Sequence, residues 1–295
     1  MEPKRVIVDT DPAIGVRFRD LDDGLAILML LSSPETTLEG ITINFGNVGA
    51  PRGFQVAHEV LQLVGSDVPI YQGAASRHDC GNINPAVDYL IETVRANPGK
   101  ITLLAIAPLT NVATAMMLDP SFAGNLKELV IMGGTFNFPF FSFFGEFNLH
   151  SDGKAANHVI SSPVPKTLIT MDVCSQAVFQ HRHLEVIQES STPVARYLAE
   201  QIPMWLNLNR KVFFRKKGFF PWDPIAVSYL TDPSLFDSNP YTLSVSESGM
   251  RRGRLINARL QENFDPLGDQ HPINIPQSLE GERFMDLLLD RLLAI

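Results

Sequence analysis

Five short runs rich in apolar and β-branched residues, RVIVD (5–9), LEGITIN (38–44), KITLLAI (100–106), ELVIMGG (128–134) and KTLITMD (166–172), punctuate the first part of the chain. Between them lie longer stretches with helical spacing, roughly 23–32, 51–65, 86–97, 109–118 and 153–161. This alternation admits few folds. Strand, helix and strand in succession form a parallel βαβ unit, and several in series build a mostly parallel sheet. The strands read as near-continuous apolar runs, which suits a sheet covered by helices on both faces. From about 178 to 231 the pattern turns helical, a β-like stretch follows near 241–247, and SLEGERFMDLLLDRLLAI (278–295) reads as an amphipathic terminal helix. No internal repeat, low-complexity segment or long Pro/Gly/Ser linker divides the chain. The expectation is one α/β domain over residues 1–295, with a mostly parallel central sheet and helices on both faces.

Composition narrows the class. Hydrophobic residues make up 45% of the chain, enough for a large core, yet the longest apolar run, LAILMLL (25–31), is far short of a bilayer span. A net charge of -8 and a pI near 5.4 argue against a general nucleic-acid binder, which carries a basic face. Cys80 and Cys174 match neither a disulfide framework nor a zinc spacing. MEPKRVIVDTD has too short an apolar stretch for a signal peptide. A cytoplasmic protein with neither nucleic acid nor membrane as partner is expected.

VDTDPAIGVRFRDLDDGLAI (8–27) gathers Asp9, Asp11, Asp20, Asp22 and Asp23, offset only by Arg17 and Arg19. The pattern places Asp9 and Asp11 at the carboxyl end of the first strand and Asp22 and Asp23 at the start of the next helix. Ligands of open α/β sheets bind outside the carboxyl ends of the strands. Helix capping explains one or two of these acids. Four carboxylates converging from both sides of one loop repel one another, and a bound cation relieves that repulsion. Hard oxygen ligands in this number favour calcium or magnesium over zinc.

DTDPA…LDDGLAI resembles the N-terminal signature of the inosine-uridine preferring nucleoside hydrolase family, normally a compact DTDPGxDDxxAI. ITINFGN (41–47), APLTNVATAM (107–116), VIMGG (130–134), GEFN (145–148) and WDPIAVSYLTDP (222–233) follow in the family's order. The resemblance implies calcium-dependent hydrolysis of the N-glycosidic bond of ribonucleosides by a homo-dimer or homo-tetramer. It matches Asp11, Asp23 and Asp223 to calcium carboxylates and Ile106 to a main-chain carbonyl ligand. Asp11 also matches the general base for the attacking water. Asp22, Asn47 and Asn148 match side chains that grip the 2′- and 3′-hydroxyls, Glu146 one that reaches the 5′-hydroxyl, and Asp9 a support for the ligands. Plainer readings stand beside these: Asp223 as an N-cap before Pro224, Asn47 as a turn residue after Gly46, Pro108 as the first residue of a helix, and HRH (181–183) as the start of a solvated helix.

The chain departs from the family pattern in four places. About eight extra residues separate Pro12 from Asp22, and Ala13 replaces a glycine; the insert reads as a flap over the site, with Arg17 and Arg19 either solvated or touching a substrate phosphate. GAASRHDCGNINPAVDYL (73–90) is shorter than the family's His-Gly-rich loop and leaves His78 as a loose substitute for its histidine. Phe140 stands where many members have an asparagine. Trp222 replaces a histidine proposed as the leaving-group acid in pyrimidine-accepting members. Stacking on Trp222, with Phe147 and the aromatic segment Phe136–Phe147 as a second wall, favours purine nucleosides. Two rival functions stay open: a haloacid-dehalogenase-like phosphatase suggested by DTDPA, and a nucleoside- or ribose-binding homologue impaired by the insert.

Overall fold

The computed structural model of the chain describes residues 2–136, 146–211, 217–241, 243–244, 256–257 and 273–295. Its centre is an eight-stranded sheet. The strands are β1 (Lys4–Thr10), β2 (Thr36–Ile43), β3 (Ile70–Gln72), β4 (Ile101–Ala105), β5 (Glu128–Met132), β6 (Lys166–Ile169), β7 (Phe236–Tyr241) and, late in the chain, β10 (Ile273–Leu279). Two short strands, β8 (Leu243–Ser244) and β9 (Ile256–Asn257), pair with each other outside it. The order is β3-β2-β1-β4-β5-β6-β10-β7, parallel throughout except for the antiparallel β10–β7 pair.

This order fixes where a ligand can sit. From β1 the chain winds outward through β2 and β3 on one side and through β4 to β6 on the other. The gap between the carboxyl ends of β1 and β4 is therefore the topological switch point, where the two connections diverge and leave a crevice.

The helices follow the sequence periodicity closely: α1 (Asp22–Ser32), α2 (Ala50–Val64), α3 (Pro85–Ala96), α4 (Thr110–Leu118), α5 (Phe122–Asn125), α6 (Phe147–Ser151), α7 (Gly153–Ile160), α8 (Met171–Cys174), α9 (His181–Glu189), α10 (Pro193–Lys211), α11 (Trp222–Thr231) and α12 (Gly281–Leu293). Alternate residues of β1 feed two cores. Val6 and Val8 pack with α1, α10, α11 and α12 on one face, and Ile7 packs with α3, α4 and α7 on the other. α1 is apolar all round because it lies between the sheet and the outer pair α11 and α12. No helix among the described residues is long and apolar enough to cross a membrane.

Some expectations need correction. The run 166–172 ends as a strand at Ile169 and turns into α8. The late strand begins at Phe236 rather than 241. α4 starts at Thr110, so Pro108 precedes the helix rather than opening it. HRH does open a helix, but His183 is buried, its Nδ1 accepting from the Gln180 N–H at 2.9 Å and its ring edge-on to Phe179.

The insert is anchored. Ala13 and Ile14 are buried, and a Cβ on Gly24 would lie 2.4 Å from Ile14 Cγ2, so α1 carries glycine where Ile14 seats. Two turns follow, closed by Val16 N–H to Ala13 O at 2.9 Å and Arg19 N–H to Val16 O at 3.2 Å. The tip, Arg17 to Arg19, is exposed, and Phe18 adopts a left-handed φ of 63° there.

Candidate active site

β1 delivers Asp9, Thr10 and Asp11, all buried, to the switch point. Parallel pairing with β2 and β4 fixes the backbone, and Ile106, just past β4, donates its N–H to the Asp9 carbonyl at 2.9 Å. The Asp9 carboxylate accepts from Thr42 Oγ1 at 2.7 Å, Asn111 Nδ2 at 2.8 Å and Asn44 Nδ2 at 3.3 Å. Burial outweighs these donors and pushes its pKa up to about 6. Asp9 thus ties β2 and α4 to the end of β1 and stands behind the carboxylates that face the crevice.

Asp11 and Asp23 meet although the insert separates them in sequence. Asp23 Oδ1 accepts from the Asp11 N–H at 3.1 Å and from Thr10 Oγ1, and Asp23 Oδ2 accepts from Asn47 Nδ2 at 3.0 Å. Asp11 Oδ2 accepts from the Asn47 N–H. That close approach is why residue 46 is glycine: a Cβ there would sit 1.8 Å from Asp11 Oδ2. Asp11 Oδ1 is buried with no hydrogen-bond partner.

Asp22, Asp23 and Asp223 each present a carboxylate oxygen, and these oxygens lie within 4.8 Å of one another. Asp22 and Asp23 sit in the first turn of α1 and Asp223 in the first turn of α11, so two helix N-termini point at the cluster. Asp22 completes this tight group, whereas the family resemblance matched Asp11 to it; Asp11 lies alongside, bonded through its N–H to Asp23. The capping reading of Asp223 fails, since the N-cap of α11 is Pro221 and no side chain caps the helix. Asp11, Asp22 and Asp223 are all held well above the ordinary carboxylate range by burial first and by a neighbouring carboxylate's charge second, chiefly Asp23 for Asp11, Asp20 for Asp22 and Asp22 for Asp223. Burial likewise raises Asp23, and Asp20 rises to about 6. Buried anionic oxygens forced together, one of them without a partner, fit a hard divalent cation.

Over the cluster lies a cavity of about 300 Å³. Asp22, Asp223, Asn47 and Ile106 line it, while Asn148 joins them from α6. Asn148 Nδ2 donates to the carbonyls of Ile106 and Met132, each at 3.2 Å, which leaves its Oδ1 as the atom able to accept from a ligand hydroxyl. Glu146, the N-cap of α6, also lines the cavity, though its carboxylate is already engaged by the N–H groups of Gly134 and Leu149 at 2.9 Å and of Asn148 at 2.7 Å. The cavity also has an aromatic lining. Trp222, with Phe220 at 4.8 Å from its ring, faces the space with Trp205 of α10, Phe147 and Phe18. Arg19 and Asp20 complete the rim, so the insert borders the cavity as expected.

Asp22, Asn47, Ile106, Glu146, Phe147, Asn148, Trp222 and Asp223 thus line one cavity, with Asp11 and Asp23 bonded to each other beside it. Phe140 and most of the segment 136–147 lie outside the described residues. His78 is elsewhere, in a separate cavity with Arg77 and His150; no histidine among the described residues lines the carboxylate cavity. Sequence reasoning missed Thr10, Asn44, Asn111 and Trp205. The first three stand inside the quoted motifs, Thr10 and Asn44 at apolar strand ends and Asn111 in the first turn of α4. Trp205 lies in a helix with no motif and gives no such signal.

Residues 6–286 match the model of the family described as inosine-uridine preferring nucleoside hydrolase. A probable uridine nucleosidase of Arabidopsis thaliana is 26% identical, with 98% of each chain covered. A plant nucleoside hydrolase structure, PpNRh1, superposes with a TM-score of 0.86 at 26% identity, covering 99% of this chain and 100% of the other. A purine-preferring ribonucleoside hydrolase from Gardnerella vaginalis shares the fold at a TM-score of 0.85 and 24% identity, with 99% of both chains covered.

Proposed function

The chain belongs to the inosine-uridine preferring nucleoside hydrolase family and is an N-ribosyl hydrolase, and on that premise we propose that it cleaves purine ribonucleosides to ribose and free base with a resident calcium ion. The phosphatase alternative falls with the family assignment. The observation that carries the proposal is the buried group Asp22, Asp23 and Asp223 beside the unpartnered Asp11 Oδ1, beneath a cavity walled by Trp222 and Trp205.

Asp11, Asp23, Asp223 and the Ile106 carbonyl would hold the ion, with Asp22 close enough to share it. Bound there, calcium supplies an activated, oriented water and an electrostatic anchor for the ribose hydroxyls. Asp11 takes the proton of the attacking water as general base; its raised pKa reflects the same burial that keeps competing solvent out. Asp22, Asn47 and Asn148 orient the 2′- and 3′-hydroxyls, and Glu146 holds α6 and the 5′ end of the sugar. The surrounding carboxylates stabilise the positive charge that develops on the ribosyl ring at the transition state.

Trp222 supports the purine preference, because an indole face covers more of a two-ring base than of one ring, and Trp205 and Phe147 extend the aromatic wall. Release of reducing sugar from inosine, guanosine, uridine and cytidine tests this in the parent and in Trp222→Ala. The expected result is higher kcat/KM for both purines, with a loss of about 10-fold or more confined to them, as ~1–3 kcal/mol of stacking implies. Uridine as the best substrate, or an equal loss on all four, overturns the preference. No release of ribose from any of them leaves only a binding role.

A further inference from the structure

Breaking an N-glycosidic bond leaves the electron pair on a base nitrogen, and something in the cavity must accommodate that charge. Trp222 offers only an indole N–H, and no histidine among the described residues lines the cavity. Arg19 does line it, and it is the single cationic side chain among the described residues that do. Resting on the nucleoside hydrolase reading, we propose that Arg19 is a catalytic residue that binds the departing nucleobase and stabilises its negative charge.

Three features of the insert support this role. First, the guanidinium is uncommitted: among the described residues Arg19 has no side-chain hydrogen bond or ion pair, although Asp20, Asp22, Glu146 and Asp223 line the same cavity. Its neighbour Asp20 instead accepts from the backbone N–H groups of Leu21 at 2.7 Å and Asp22 at 3.4 Å. An arginine at the lip of an acidic pocket that pairs with none of its acids is available to a ligand. Second, the tip is held under strain. Phe18 has a φ of 63° and is 58% exposed, with the Arg17 guanidinium 4.8 Å from its ring centroid. A bulky residue in the left-handed region, exposing its ring beside a cavity, is a cost that solvent alone does not repay. Third, the tip is placed by its base. Ile14 is buried beside Gly24, and a Cβ on Gly15 would lie 2.9 Å from the Tyr197 hydroxyl, so the insert runs against α10, the helix that supplies Trp205. Phe18 and Arg19 therefore line the same cavity as Trp205 and Trp222 rather than floating free.

The chemistry balances with the chain's own groups. The water oxygen forms its bond to C1′ as the C1′–N bond breaks, and one water proton passes to Asp11. The bonding pair remains on the base as an anion held by the Arg19 N–H groups, and that anion then takes a proton from solvent. Arg19 does not act as an acid, because a guanidinium stays protonated; it acts as a fixed donor. Its planar fork also matches a base edge with two adjacent acceptors, such as O6 and N7 of a 6-oxopurine.

The test varies the leaving group. Inosine needs its base stabilised, whereas 4-nitrophenyl β-ribofuranoside releases a phenolate that leaves unaided. Arg19→Met should lower kcat/KM for inosine about 10²-fold, the usual effect of deleting one donor to a developing anion, and change the nitrophenyl riboside by less than about 3-fold. Arg19→Lys should recover part of the loss on inosine. Equal losses on both compounds, or none on inosine, overturn the assignment. Preferential hydrolysis of inosine 5′-monophosphate that vanishes in Arg19→Met makes the residue a phosphate contact and also overturns it. A parent inactive on both ribosides overturns the hydrolase reading itself; with a parent active on both, the difference between the two substrates decides the role of Arg19 alone.

Discussion

Asp11→Asn preserves side-chain size while removing a buried carboxylate whose Oδ1 has no partner. Its two consequences point in opposite directions. The amide cannot take a proton from water, so kcat should fall by about 10²–10⁴. Yet Asp11 is raised partly by the charges of Asp23 and Asp22, so neutralising it relieves repulsion, and the chelated protein should melt higher than the chelated parent. Steady-state kinetics and thermal melts in EDTA, run on one preparation, check both. A variant with near-parental kcat removes Asp11 as base; a chelated variant that melts lower shows that its role in the cluster is structural. At this scale the sequence was most informative where a residue had to be acidic and least where partners depend on approach distance. Asp9, Asp11, Asp22, Asp23 and Asp223 were all legible as carboxylates. That Asp22, rather than Asp11, lies tightest against Asp23 and Asp223 depends on the path of the insert, which spacing alone does not specify.

Elements with strong periodicity were read within one or two residues, because both faces of the sheet and of α1 are buried and their apolar pattern is continuous. β3 has only three residues, Ile70 to Gln72, too short to register above a turn. β10 contains Pro276, which removes a ladder donor and disguises a strand that is held by β7 and pairs with β6 only at Asn274. The insert was legible as extra length but not as an anchored element, since nothing in AIGVRFRDL announces that Ile14 enters the core. The anchoring changes what shortening it should do. Ile14→Ala opens a hole between the insert and Gly24 and should cost about 2–5 kcal/mol, read as a lower denaturation midpoint at unchanged slope. Replacing Arg17–Arg19 with a shorter glycine-containing turn should leave that midpoint within about 0.5 kcal/mol of the parent, as for an exposed loop tip. Equal destabilisation by the two changes would mean that the tip, not Ile14, holds the insert.

For the whole molecule, the switch point between β1 and β4 concentrates Asp11, Asp20, Asp22, Asp23 and Asp223 where burial raises each above its ordinary value and repulsion adds to it for all but Asp23. Without metal, the native state therefore holds protons that the unfolded chain has already released. Stability must then fall as pH rises from the ordinary carboxylate range near ~4 through about 6, the value for Asp20, with the raised Asp11, Asp22 and Asp223 adding to the fall. A bound calcium ion reverses the sign, because it requires the deprotonated ligands and competes with those protons. Its contribution follows RT ln(1 + [L]/Kd), about 2.7 kcal/mol at a hundredfold excess over Kd, and the excess shrinks as acid raises the apparent Kd. The expected observation is a gap in Tm between calcium-loaded and chelated protein that is wide above about pH 6 and closes as pH falls below it, mainly because the chelated form gains stability on acidification. Magnesium at equal concentration should give a smaller gap, since a multi-carboxylate cage suits the larger ion. A gap that stays constant or widens in acid would show that the ion binds away from these five carboxylates, and the assignment of the metal to the switch point would fall.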